Sequence, residues 1–306
     1  MRTIAAVLVS LFAQQLPSAL CGVLDGSTTS ATHTQTTNAT GLINVKTQFG
    51  AVGDGVTDDG PSLQAAIDHA RLTRNGLYFP PGNFRVIEPL IFGFWRGILV
   101  RGGEPGDSGI AGGTATVILT ADLAVGADAC FDFTGAGYGT VEGLSFQGSR
   151  CKVMVLNARP SNCTRPLPGV ACDIYGSDIT YSHCNFGHAP VAAFANHMGE
   201  VLTFRDCRFK AGGESPGLLL SWRLQQPPYN IRPPSGAALT TGVTLTVFRV
   251  FGGEFTGDNS ANVVLDMENA TQSDGKIAGG STVLISGSYF ASMGGHMAAV
   301  QVRGRW

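Results

Sequence analysis

The sequence predicts an all-β fold, a chain wound in parallel coils as a β-solenoid whose open first coil is covered by an N-terminal α-helix. Three observations predict it. Glycine supplies 42 of 306 residues while only 14% are charged, so the chain makes many turns and hides much of its surface. A single amphipathic helical stretch lies near the N-terminus, and from about residue 97 onward no helical period recurs. In its place a short pattern returns, with apolar or small residues two, five and often seven positions before a phenylalanine.

Taken in order, Met1 and Arg2, the apolar run Ile4 to Ala13 and the small-residue exit ending at Ala19 have the form of a secretory signal, assigned to residues 1–21. The run is too short to span a bilayer. Residues 22–43 form a Ser/Thr-rich linker without apolar period, and one domain fills residues 44–306. Its first segment, Asn44 to Phe49, is β-prone, and Gly50, Gly53, Asp54 and Gly55 supply the freedom for a reversal. Leu63, Ala66, Ile67 and Ala70 then form one apolar helix face. Asp59 is placed to cap that helix by accepting from the Ser62 amide, with Pro61 in the first turn. Asn75 and Gly76 end it, and Pro80, Pro81 and Gly82 turn the chain into a β-like run from Phe84 to Ile91. The adjacent Asp58 and Asp59 read as turn and cap residues rather than an acid/base pair.

This order, carried by Phe49 to Asp59, Leu63 to Asp68 and Tyr78 to Gly82, resembles the start of the pectate-lyase superfamily. Those are right-handed parallel β-helix proteins that include tailspike-like depolymerases, glucanases, polygalacturonase relatives and alginate epimerases. The resemblance implies a single-stranded, right-handed, pectin-lyase-like β-helix and an extended polysaccharide as partner. It leaves the reaction open: the Asn-Thr-Asp, Gly-His-Gly and Arg-Ile-Lys motifs of polygalacturonase-like enzymes do not occur as a set, and the Asp-Pro-His triplet of the alginate epimerases is absent.

The repeat is clearest in Ile179 to Phe186 and Leu202 to Phe209, which are offset by 23 residues. Weaker copies end at Phe255 and Phe290, and a partial copy ends at Phe146. An offset near 23 suits one coil, so the intervals of 40 from Phe146 to Phe186 and 46 from Phe209 to Phe255 read as two coils each. Equivalent side chains then lie about 4.8 Å apart, which stacks Phe186 on Phe209 and places Cys184 beside Cys207. That cysteine pair reads as buried free thiols in preference to a disulfide. Two excursions, Asn157 to Val170 and Gln225 to Gly236, leave the coils, and Trp222, Tyr229 and Arg232 in or beside the second suit stacking on sugar rings. No second helix covers the last coil, Thr282 to Phe290, so the chain is expected either to be truncated at its C-terminus or to be protected there by homo-oligomerisation.

Export carries further expectations. Asn38, Asn162 and Asn269 head Asn-x-Thr glycosylation triplets. Beyond Cys21, the remaining six cysteines are an even number suited to an oxidising compartment, with Cys163 and Cys172 able to staple the loop between them. A net charge of −2 gives no footprint for nucleic acid. No Cys or His spacing suggests zinc. No cofactor is expected, except calcium should the protein be a lyase.

Aligning the repeat brings chemistry together. His183 and Asp206 stand three positions before their phenylalanines; Asn185, Arg208 and Glu254 stand one before, and Glu142 and Arg205 four before. His183, Asp206, Arg208 and Glu254 are the catalytic candidates. His188 and His296 read as turn residues. The expected function is a secreted carbohydrate-active protein, a glycoside hydrolase or polysaccharide lyase, with a non-catalytic glycan-binding or adhesive module as the alternative. Hydrolysis would need two carboxyl groups about 5 to 10 Å apart; elimination would need a base and a cation to neutralise a uronate.

Overall fold

The computed structural model describes residues 41–103, 117–123, 127–148, 150–161, 178–197, 201–212, 215–221, 223–239, 247–257, 262–266, 282–292 and 300–303. Two compact units divide the chain, residues 1–36 and 37–306, and every described residue lies in the second. The signal segment, most of the linker, Asn38, Asn162, Asn269, Cys163, Cys172, Trp222 and His296 lie outside the described residues.

The second unit is a parallel β-helix. Its strands fall into three parallel sheets of eight, eight and seven. Sheet A begins with Leu42–Asn44, Gly76–Phe79 and Leu99–Gly102 and ends with Thr282–Ser286. Sheet B runs from Asp54–Asp58 to Tyr289–Ser292, and sheet C from Leu90–Ile91 to Val300–Arg303. Every coil after the first visits A, B and C in turn, the first giving a strand to A and B only, and alternate side chains along the strands point inward.

The inward columns justify the repeat. Phe146 pairs in register with Phe186, Phe186 with Phe209, Phe209 with Phe255 and Phe255 with Phe290. Their rings stack with centroids 5.6, 5.0, 4.7 and 4.9 Å apart. Burial of one such ring is worth about 1.5–3 kcal/mol, and the stacked geometry adds to it. Cys184 and Cys207 are buried free thiols, as expected, and burial holds the Cys207 thiol well above its usual range. A disulfide that the sequence did not reveal joins Cys130 to Cys151 in neighbouring coils of sheet C.

Three local expectations are corrected. The interval from Phe146 to Phe186 is one coil, not two, and so is that from Phe209 to Phe255, because the strands pair directly. The extra length lies mainly between sheets C and A: one excursion follows Cys151–Ala158, the other follows Leu218–Ser221. Second, the β-prone segment after Asn44 is not a strand. Sheet A takes Leu42–Asn44, and the chain then forms a short helix, α1 (Val45–Phe49). Asn44 caps it by accepting from the Lys46 and Thr47 amides at 2.9 and 3.1 Å, and Gly50, with φ at 76°, closes it.

Third, Asp59 precedes the next helix, α2 (Gly60–Thr73), but makes no side-chain cap bond to it. Its buried carboxylate reaches back instead and accepts from the Val52 and Gly53 amides at 2.6 and 3.0 Å. The reversal before the helix and the helix itself are thereby tied together. Leu63, Ala66, Ile67 and Ala70 are buried against the core, as the periodicity predicts. On the same helix Gln64 Nε2 donates to Ile91 O at 3.1 Å and its Oε1 accepts from Ile91 N at 2.9 Å, so both backbone groups of Ile91, in the first strand of sheet C, find partners on α2.

Candidate functional site

Which outer face can meet a ligand follows from what covers each sheet. On sheet C the outward residues are Ala129, Val153, Leu156, Ala192, Ala195, Leu219 and Val264, and they pack with Leu224, Tyr229, Ile231 and Leu239 into a second core. Residues 223–239 therefore lie as a strap over sheet C. Polar anchors hold it: Tyr229 donates its hydroxyl to Asp266 at 2.6 Å, Arg223 Nε pairs with the same carboxylate oxygen at 3.0 Å, and the Ser235 amide donates to Asp132 at 2.9 Å. Asp266 is fully buried, and Tyr229 and Arg223 offset part of the cost of burying its charge. Desolvation first, and the Asp266 carboxylate second, push the Tyr229 phenol well above its usual range.

The excursion expected to wall a groove thus covers a sheet. Tyr229 is buried under Arg223, leaving its ring no open face for a sugar. Arg232 stays exposed, with its amide held by Asp128 at 2.9 Å.

The four catalytic candidates separate into two pairs. His183 and Asp206 occupy the corner between sheets A and B in left-handed backbone, φ 52° and 50°, with His183 Nε2 3.9 Å from Asp206 Oδ2. Ser182 Oγ lies 2.8 Å from His183 Nδ1. Arg208 and Glu254 stand on the outer face of sheet B, in register across one coil and ion-paired at 3.1 Å. Glu142 pairs elsewhere, with Arg101 on sheet A at 3.4 Å.

An open cavity lies beside the second pair. It has a volume of about 540 Å³ on the outer face of sheet B. Two columns form its floor: Ser145, Asn185 and Arg208 in one, and Gln147, Gly187, Lys210 and Thr256 in the other. His188 joins them from the corner between sheets B and C. Its Nε2 lies 3.2 Å from Gly212 O, and a carbonyl only accepts, so the ring proton sits on Nε2 and Nδ1 keeps its lone pair in the neutral form. Among the described residues that line the cavity there is no Asp or Glu, while Arg208, Lys210 and His188 all contribute.

Sequence reasoning reached Arg208 and Asn185 through the repeat, but set His188 aside as a turn residue and passed over Lys210. Lys210 had a signal: it stands one position after Phe209, where Gln147 and Thr256 follow their own phenylalanines. His188 had none, because the tertiary path of the sheet B to sheet C corner brings it over the floor.

Residues 42–116 match the family model described as rhamnogalacturonase A/epimerase, pectate lyase-like, and the resemblance to the pectate-lyase superfamily is borne out. Mannuronan C5-epimerase AlgE6 of Azotobacter vinelandii is 57% identical over 44 residues, which is 14% of this chain and 5% of that protein. A capsule K30/K69-specific depolymerase of Klebsiella phage K64-1 is 27% identical over 177 residues, 55% of this chain and 21% of that protein. The chain therefore spans a minor part of the length of the curated relatives it matches. Among solved structures, tailspike protein gp49 of Acinetobacter baumannii bacteriophage Fri1, a capsular polysaccharide depolymerase, aligns with a TM-score of 0.44 at 12% identity, over 88% of this chain and 50% of that one.

Proposed function

We infer, for a chain that carries the N-terminal block of the pectate-lyase superfamily on a parallel β-helix, an exported protein that acts on an acidic polysaccharide held on the outer face of sheet B. The observation that carries this reading is the cavity on the outer face of sheet B to which Arg208, Lys210 and His188 all contribute. Such a site attracts a uronate and suits it to elimination at the sugar. Arg208, oriented by Glu254, and Lys210 neutralise the substrate carboxylate, which acidifies the neighbouring C–H. His188, with Nδ1 unprotonated when neutral, accepts that C5 proton; the glycosidic C4–O bond breaks as the C4=C5 double bond forms, and the departing oxygen takes a proton from solvent. Asn185 and Gln147 hydrogen-bond sugar hydroxyls. The named relatives act on mannuronan and on capsule, which agrees with a polysaccharide substrate, and the paired carboxylates of a hydrolase are not gathered among the described residues of this cavity.

A second reading, a glycan-binding module without catalysis, is favoured by one observation: Glu254, the carboxylate beside the cavity, is engaged by Arg208. One experiment separates the two. The protein is incubated with polyuronates and with neutral glucans, and the ultraviolet absorbance of an unsaturated uronate is followed. The lyase reading expects product from a polyuronate, a loss on the order of a hundredfold in Arg208→Ala and a comparable loss in His188→Ala. Binding of a glycan without product by folded protein would establish the second reading, no binding to any polyuronate would end the first, and no binding to any glycan tested would end both.

A further inference from the structure

The column that contains Arg208 does not stop at Glu254. In-register pairing carries it one coil further, to Tyr289. The next residue in the chain, Phe290, packs toward the core and stacks on Phe255 at 4.9 Å, so alternation along the strand turns Tyr289 outward. Tyr289 is 64% exposed. A ring left so open contributes little to folding, whereas a tyrosine offers a ligand both an apolar face and a hydroxyl handle.

Spacing gives this exposure a meaning. Successive residues of the column are separated by one coil, about 4.8 Å, so Tyr289 stands about 10 Å along the coil axis from Arg208. One pyranose unit of an extended glycan advances by nearly one coil, so two units cover that distance. We propose that Tyr289 is the aromatic platform of a further sugar subsite, and that an acidic glycan lies along the coil axis, with a uronate at Arg208 and Lys210 and the sugar two units on stacked over Tyr289. The proposal rests on the acidic-polysaccharide reading of the same face and adds its direction and its length. It also gives the site a preference for chains long enough to reach from one group to the other.

The test is calorimetric titration of the full chain with oligouronates from disaccharide to hexasaccharide. For the unsubstituted protein, affinity should rise by about tenfold at the length that first spans both positions. Tyr289→Ala should remove that step and leave the disaccharide affinity unchanged, and Tyr289→Phe should keep it. Arg208→Ala should weaken every length. A Tyr289→Ala protein that keeps the step, or that weakens all lengths equally, overturns the subsite while the acidic-glycan reading stands. If the unsubstituted protein binds no oligouronate, that reading falls and the subsite falls with it.

Discussion

Three positions before each anchoring phenylalanine the backbone turns its corner in the left-handed region: Gly143 at φ 70°, His183 at 52°, Asp206 at 50°, Gly252 at 68° and Gly287 at 67°. Glycine takes this conformation without steric cost, and Asp and His are among the side chains that tolerate it best. His183 and Asp206 are thus explained by the corner they make, before any chemistry is asked of them. The alignment of glycines with these two was visible in the sequence; its conformational meaning was not, since φ is set by the pairing of neighbouring coils. A Cβ added at Gly252 would run into Asp206 Oδ1, the mobile end of a short side chain. Gly252→Ala should therefore cost about 1–2 kcal/mol in urea unfolding, most of it from the dihedral angle. The same loss should persist in an Asp206→Gly background; if it vanishes there, the clash and not the backbone was responsible.

Elements show a different boundary between what a sequence discloses and what it conceals. The apolar face of α2 was legible because its period is local. The work of its polar residues was not: Gln64 serves Ile91, 27 positions away, and Asp59 turns back to the Val52 and Gly53 amides. The strap has the same character, since a proline-rich run reads as a loop whether it walls a groove or covers a sheet, and only the burial of Leu224, Tyr229 and Ile231 decides. A prediction belongs to this scale. Gln64→Ala leaves both backbone groups of Ile91 without their partner and should destabilise the protein by about 1–3 kcal/mol. Hydrogen exchange at the Ile91 amide should accelerate more than that at Phe209 in mid-stack. Unchanged protection at Ile91 would show that α2 does not shield that edge.

For the whole β-helix, the repeat was readable where coils are short and deceptive where they are long. Phe186 and Phe209 announced themselves by an offset of 23, whereas Phe146 and Phe255 stood off by longer intervals that hide a single coil each. Side chains inside the stack report the period; the excursions between sheets C and A add length without adding height. The candidate site inherits this asymmetry. Its floor residues follow the period and could be aligned, while His188 depends on a corner that the period does not describe.

The column of phenylalanines makes the β-helix divisible. Phe186 and Phe209 hold the same place in successive coils, so excising residues 187–209 would bring Phe186 beneath Phe255, where a ring already sits. The shortened protein should fold with one storey fewer and keep its circular-dichroism signature of β structure. It should also lose its hold on uronates, having shed Arg208 along with the storey. A molecule assembled from interchangeable floors can change its height and keep its cross-section.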